Sequence, residues 1–120
     1  MKKILLVDDS AEMRRLLNIT LRNYYDIVEA RSGEDAISMA RAYQPHAILL
    51  DIVMPGQLDG LQVLKSIRQD ATTSAPLIAV VTARSTAMDC NLSLQLGADA
   101  YFVKPFSPLK IVHWLQQNLH

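Results

Sequence analysis

One doubly wound α/β domain, with five parallel strands and five helices, is predicted by three observations. Short apolar runs and amphipathic segments alternate five times along 120 residues. The clearest runs, such as Ile4-Leu5-Leu6-Val7 and Ile48-Leu49-Leu50, are uninterrupted, as in strands buried on both faces. The strongest also stop at a polar or charged residue, and parallel strands joined by helices bring such ends to one edge. Right-handed crossovers restrict the strand order. The first and third runs both end in acids and are placed as neighbours at the switch point, giving the order 2-1-3-4-5.

The elements follow in order. Ile4 to Val7 is the first strand, ending at Asp8 and Asp9, and Ser10 caps the helix after it. Met13, Leu16, Leu17, Thr20, Leu21 and Tyr24 form that helix's apolar side. Tyr25 to Ala30 is a weaker strand. Ser32 caps the second helix, with Glu34 and Asp35 in its first turn, Ala36, Ile37, Ala40 and Tyr43 inward, and Pro45 ending it. The central strand runs into Asp51 and is closed by Pro55-Gly56. Gly60 to Gln69 is the third helix, with Leu61, Leu64 and Ile67 inward. Leu77 to Val81 is a strand ending in Thr82, and Thr86 to Leu96 is a helix stopped by Gly97. Ala100 to Val103 is the fifth strand, ending at Lys104-Pro105. Ser107 caps the last helix, with Leu109, Val112, Leu115 and Leu119 inward.

Composition narrows the function. The length suits one domain, residues 1–120. Twelve acidic and twelve basic side chains cancel, so no global charge points to nucleic acid or membrane. Cys90 is the only cysteine, which excludes an internal disulfide or a thiolate metal site. No segment approaches the roughly 20 apolar residues of a membrane span. The expectation is a soluble cytoplasmic domain.

Asp8, Asp9, Asp51, Thr82 and Lys104 all follow apolar runs and so collect at one sheet edge. Strand ends are often polar, but five of complementary chemistry point to a site. Three carboxylates in one pocket repel, and a hard divalent cation such as Mg²⁺ relieves this with oxygen ligands. Lys104 adds a fixed positive charge and Thr82 a hydroxyl. That set is arranged to hold a phosphoryl group on Asp51, the nucleophile.

The chain resembles the receiver domains of two-component response regulators, whose fold is flavodoxin-like. The pieces that carry the resemblance are Leu6-Val7-Asp8-Asp9-Ser10, Leu49 to Gly56, Asp59-Gly60, Val81-Thr82-Ala83, Gly97 to Tyr101 and Val103-Lys104-Pro105-Phe106. The resemblance implies Asp51 as phosphoacceptor, Asp9 as a direct Mg²⁺ ligand, Asp8 acting mainly through a metal-bound water, and the Val53 carbonyl completing the protein ligands. It also implies a sensor histidine kinase or phosphotransfer protein as donor, a downstream effector protein or domain, and a cis Lys104–Pro105 peptide. Only phosphoryl transfer and self-dephosphorylation are expected, without enzymatic turnover. The chain departs from the family where Gln57 and Leu58 lengthen the loop before Asp59-Gly60. Val53 and Arg84 stand where family members vary and tune the phosphoryl lifetime.

Tyr101, three residues before Lys104, is expected to be the aromatic partner of Thr82 in a two-state switch. The fourth helix carries two apolar stripes, Met88-Leu92-Leu96 and Ala87-Cys90-Leu94. Leu96 is placed inward because the family's residue before that glycine is inward, which leaves Cys90 and Leu94 at the surface. With Tyr101 and with Trp114 on the last helix they form an expected partner surface, for an effector or for a second copy. Two alternatives are weighed. A Mg²⁺-dependent phosphohydrolase would use the same pocket, but His46, His113 and His120 are placed away from it, which leaves no general acid. A degenerate interaction module would lack an acid, the threonine or the lysine, and all are present. Whether the chain is a complete regulator or part of a longer one is left open.

Overall fold

The computed structural model describes residues 1–119; His120, read above as a residue of the last helix, lies outside the described residues. Ten elements alternate: β1 (Lys3–Val7), α1 (Ala11–Leu21), β2 (Asp26–Ala30), α2 (Gly33–Tyr43), β3 (Ala47–Leu50), α3 (Gly60–Gln69), β4 (Leu77–Thr82), α4 (Ala87–Gln95), β5 (Ala100–Val103) and α5 (Pro108–Asn118). The strands form one parallel sheet in the order β2-β1-β3-β4-β5. Predicted class and order are both observed.

Alternation along the strands builds two cores. Leu5, Val7, Ile48, Leu50, Ile78 and Val80 face α2 and α3. Ile4, Leu6, Ala47, Leu49, Ala79 and Val81 face α1 and α5. The central strands are therefore apolar along both faces between Lys3 at the start of β1 and Thr82 at the end of β4, because successive side chains point to opposite covered faces.

Caps explain where the helices begin. Ser10, Ser32 and Thr86 each accept a hydrogen bond from the backbone N–H three residues on. Asp59 and Gln62 form a reciprocal capping box on α3. Ser107 stands at the N-cap of α5 without a side-chain capping bond, and Pro108 opens that helix instead. Gly97 follows α4 with φ +113°, the conformation that ends a helix at low cost for glycine.

Several inward assignments need correction. On α1, Leu17 and Leu21 are buried but Leu16 and Tyr24 are exposed, because the helix buries one narrow stripe. Tyr25 is buried just ahead of β2 rather than within it. Tyr43 is exposed beneath the Lys3 ammonium, 5.0 Å from its ring centre. On α3, Leu64 and Ile67 are buried as expected and Leu61 packs partly buried against the same core, but Val63, not assigned inward, is fully buried beside them. On α5, Leu109 is 64% exposed, and Ile111 is fully buried in its place.

Arg68 ties the opposite edge of the sheet together. Its guanidinium donates to the carbonyls of Ser74, Pro76 and Gly97 and pairs with Asp99 at 2.8 Å. Asp99 also accepts from the Ile78 N–H, which fixes the start of β5 against β4.

Gly60 opens α3 against the backbone of the central strand. A Cβ there would collide with the Ile52 Cα and the Asp51 carbonyl. Gly56, by contrast, has open space and only a left-handed φ of +112°. Gly60→Ala is predicted to cost about 2–3 kcal/mol in urea unfolding. Gly56→Ala should cost only about 1 kcal/mol, the strain of that backbone angle. Equal losses for the two would contradict the packing described.

Candidate functional site

Strand register assembles the site. Val7 is level with Leu50, so Asp8 and Asp51 leave the sheet side by side. β4 flanks β3 with Val80 level with Leu50, and β5 follows with Val103 level with Thr82. Backbone bonds carry the pairing past the strand ends: Asp8 N–H to the Ala30 carbonyl, Asp51 N–H to Val7, and Lys104 N–H to Thr82, at 2.7–3.1 Å. All five predicted residues reach one edge.

Asp8 and Asp51 are 4% and 5% exposed, whereas Asp9 is at the surface. The three carboxylates each offer an oxygen within 4.8 Å of the others. Lys104 donates to Asp8 Oδ2 at 2.8 Å and to Asp51 Oδ2 at 2.9 Å, with its side chain 17% exposed. The remaining oxygens are held by backbone: Asp8 Oδ1 accepts from the Ser10 N–H at 2.9 Å and Asp51 Oδ1 from the Val53 N–H at 2.8 Å. Burial draws the Lys104 ammonium toward losing its proton. The hydrogen bonds and charges of Asp8 and Asp51 outweigh that and raise its pKa above the usual 10.5.

Thr82 is fully buried, and its Oγ1 accepts from the Arg84 N–H at 3.4 Å. Tyr101 lies half-buried on β5 and donates its hydroxyl to the Arg84 carbonyl at 2.8 Å. Burial, then the charge of Asp89, holds its phenol above 10.0. The backbone of Arg84 thus touches both residues of the expected switch, Thr82 through its N–H and Tyr101 through its carbonyl. The Lys104–Pro105 peptide is cis.

The whole chain can now be compared with known proteins. The sequence model of the response regulator receiver domain matches residues 4–116. The chain belongs to that family. It is 41% identical over 111 residues to the alkaline phosphatase synthesis transcriptional regulatory protein PhoP of Bacillus subtilis, covering 92% of this chain and 45% of PhoP. It is 42% identical, with the same coverage, to the transcriptional regulatory protein ResD of that organism. The chain therefore spans less than half the length of these relatives. Among solved structures, chemotaxis protein CheY4 of Vibrio cholerae superposes with a TM-score of 0.91 at 28% identity over 99% of both chains.

Leu58, in the lengthened loop, packs on the core beneath α2, so closely that a Cβ on Gly33 would strike its carbonyl. The loop lies against the body of the domain. Val53 is exposed beside Asp51.

The expected partner surface is only partly as predicted. Leu94 is exposed and Cys90 half-buried, but Met88 (80% exposed) and Leu92 are exposed as well. Leu96 packs against the core as placed, but Met88 and Leu92 of its stripe do not. The buried position is Ser93, whose hydroxyl donates to the Asp89 carbonyl, with Leu96 half-buried below it. Trp114 is not a free surface residue: it packs edge-on to Phe102, ring centres 6.1 Å apart. Val103 and Leu109 are exposed instead.

A cleft of about 510 Å³ lies at the opposite edge beside His46, Pro76 and Leu77. His46 Nδ1 accepts from the Lys3 N–H there. No helix is long and apolar enough to cross a membrane among the described residues.

Sequence reasoning missed the N–H groups of Ser10 and Val53 that brace the acids, and the Arg14 side chain that donates to the Asp8 carbonyl, since none is the polar residue that ends an apolar run. Removing Lys104 should leave two buried carboxylates without their counter-charge. Lys104→Met is predicted to lose about 3 kcal/mol in metal-free buffer. Because the folded pKa is raised, this contribution is complete below pH 10.5 and fades only as pH climbs through the higher folded value. Denaturant curves of both proteins at pH 7 and above 10.5 check this, and a difference that does not shrink at high pH would contradict it.

Proposed function

We propose that this receiver domain is a phosphorylation switch in which Asp51 accepts a phosphoryl group from a histidine kinase or phosphotransfer protein, with Mg²⁺ bound by the neighbouring acids. The observation that carries this reading is the Lys104 ammonium lying between two buried carboxylates, with a third beside them. The donor set is all oxygen, which suits a hard divalent cation. Asp9 and Asp51 would hold it directly, Asp8 mainly through a water, and the Val53 carbonyl would complete the set. When bound, the cation supplies positive charge to the oxygens of the transferring phosphoryl group.

The chain's own groups do the rest. A carboxylate oxygen of Asp51 forms the new O–P bond as the donor's N–P bond breaks, its electron pair returning to the donor imidazole. The Val53 N–H restricts rotation of that carboxylate. Lys104 turns from a carboxylate partner into a partner of the phosphoryl oxygens. Thr82 donates its hydroxyl to a phosphoryl oxygen, which draws it away from the Arg84 N–H. No separate substrate is turned over, and self-dephosphorylation resets the switch. His46, at the far edge, and His113, exposed on α5, offer no general acid for a phosphohydrolase.

Tyr101 would relay the change through the Arg84 peptide. The exposed apolar side chains of α4, β5 and α5 would then meet an effector, or a second copy, in the cytoplasm. Shifting a population from 1:99 to 99:1 needs about 5.5 kcal/mol of differential binding. A few charge-assisted bonds at roughly 1.5–3 kcal/mol each supply that.

Incubation with acetyl phosphate should add one phosphate by intact mass only when Mg²⁺ is present, and Asp51→Asn should abolish it. Full labelling of Asp51→Asn, or none of the parent protein with Mg²⁺, would overturn the assignment. With 3-fluorotyrosine incorporated, the ¹⁹F resonance assigned through Tyr101→Phe should move on phosphorylation. A resonance that stays in place would remove Tyr101 from the relay.

A further inference from the structure

Asp9 stands apart from the other two acids in how it is held. Asp8 and Asp51 are buried, and each has a backbone N–H on one oxygen and Lys104 on the other. Asp9 is exposed, and one peptide group joins it to the buried Asp8. That group is planar, so fixing the Asp8 carbonyl also fixes the Cα of Asp9.

Arg14 holds that carbonyl. Its Nη1–H donates to the Asp8 oxygen at 2.7 Å, and its side chain is only 15% exposed. The guanidinium is itself braced, its Nε–H donating to Glu29 Oε1 on β2 at 3.0 Å. Asn18, one turn along α1, donates to Glu29 Oε2 at 3.0 Å. A rigid fork with several donors can reach a carbonyl and a carboxylate at once, which a lysine cannot do with the same geometry.

Resting on the reading of the acidic cluster as a Mg²⁺ site, we propose that Arg14, braced by Glu29, is a positioning residue that orients the Asp8–Asp9 peptide so that Asp9 meets the cation. A role in merely joining α1 to β2 would lower stability without changing cation affinity. Charge makes the distinction sharper. Arg14→Met removes a positive charge near the acids, and Coulomb's law alone would then tighten cation binding. Weaker binding can come only from lost orientation.

The test is a calorimetric Mg²⁺ titration of the parent chain, Arg14→Met and Arg14→Lys, with urea curves showing that each is folded. The expected result is an approximately tenfold rise in Kd for Arg14→Met, the scale of groups that orient metal ligands. Arg14→Lys should lie between the two. Acetyl phosphate labelling of Arg14→Met should recover once Mg²⁺ is raised about tenfold. Unchanged or tighter binding by folded Arg14→Met would overturn the proposal. Should Arg14→Met fail to fold, Arg14→Lys decides, and parental affinity in that variant would overturn it equally. No Mg²⁺ binding by the parent chain would strike down the site reading and this inference together, whereas parental binding with unaltered variants strikes only the role of Arg14.

Discussion

Lys104 places one ammonium between two carboxylates that the fold has taken out of water, and much of the site follows from that contact. Burying a carboxylate is costly unless charge and hydrogen bonds compensate it. Asp8 and Asp51 obtain both, from Lys104 and from the N–H groups of Ser10 and Val53. Asp9 joins them without an ammonium of its own. Three carboxylates against one ammonium leave two negative charges uncompensated, the charge of one divalent cation. The same lysine therefore maintains the resting fold and leaves room for the chemistry proposed for it. Contacts that hold it now are those a phosphoryl group would replace.

The consequences run outward along β4 and β5. Thr82 and Tyr101 do not act on separate parts of the molecule, since both hydrogen-bond the Arg84 peptide region. That segment leads directly into α4, which buries only Ser93 where each other helix buries two or three side chains. A helix with so little buried apolar surface belongs to the low-stability end of a domain. The most exposed large apolar side chain of the helices, Met88, sits on it. At the other edge, Arg68 and Asp99 fasten β4, β5 and the α3–β4 connection together. The sheet is anchored at one edge and adjustable at the other.

The strands and the acids were legible in the sequence because both obey simple rules. A strand covered on two faces must be apolar throughout, and the first polar residue after it marks the sheet edge. Asp8, Asp51, Thr82 and Lys104 were all found by that rule. Helix faces were read less well. On α1 and α5 the apolar residues outnumber the buried positions, so periodicity offered Leu16 and Leu109 beside the true inward residues. α4 was misread because its inward residue, Ser93, is polar and satisfies itself on its own helix. Nothing local in the sequence reveals that Arg14 on α1 turns back to Asp8 and Glu29. Contacts of that kind depend on where β2 lies, which the residues of α1 do not specify.

The central claim is that Asp51, Thr82 and Lys104, with an acid-bound cation, form one phosphoryl site. A crystal structure with Mg²⁺ and beryllofluoride, a phosphoryl mimic, tests it most directly. The account predicts beryllium bonded to a carboxylate oxygen of Asp51, Lys104 moved from Asp8 onto a fluorine, and the Thr82 hydroxyl on another. Density for the cation should contact Asp9. A complex with Lys104 still bridging Asp8 and Asp51, or with beryllofluoride elsewhere, would contradict it.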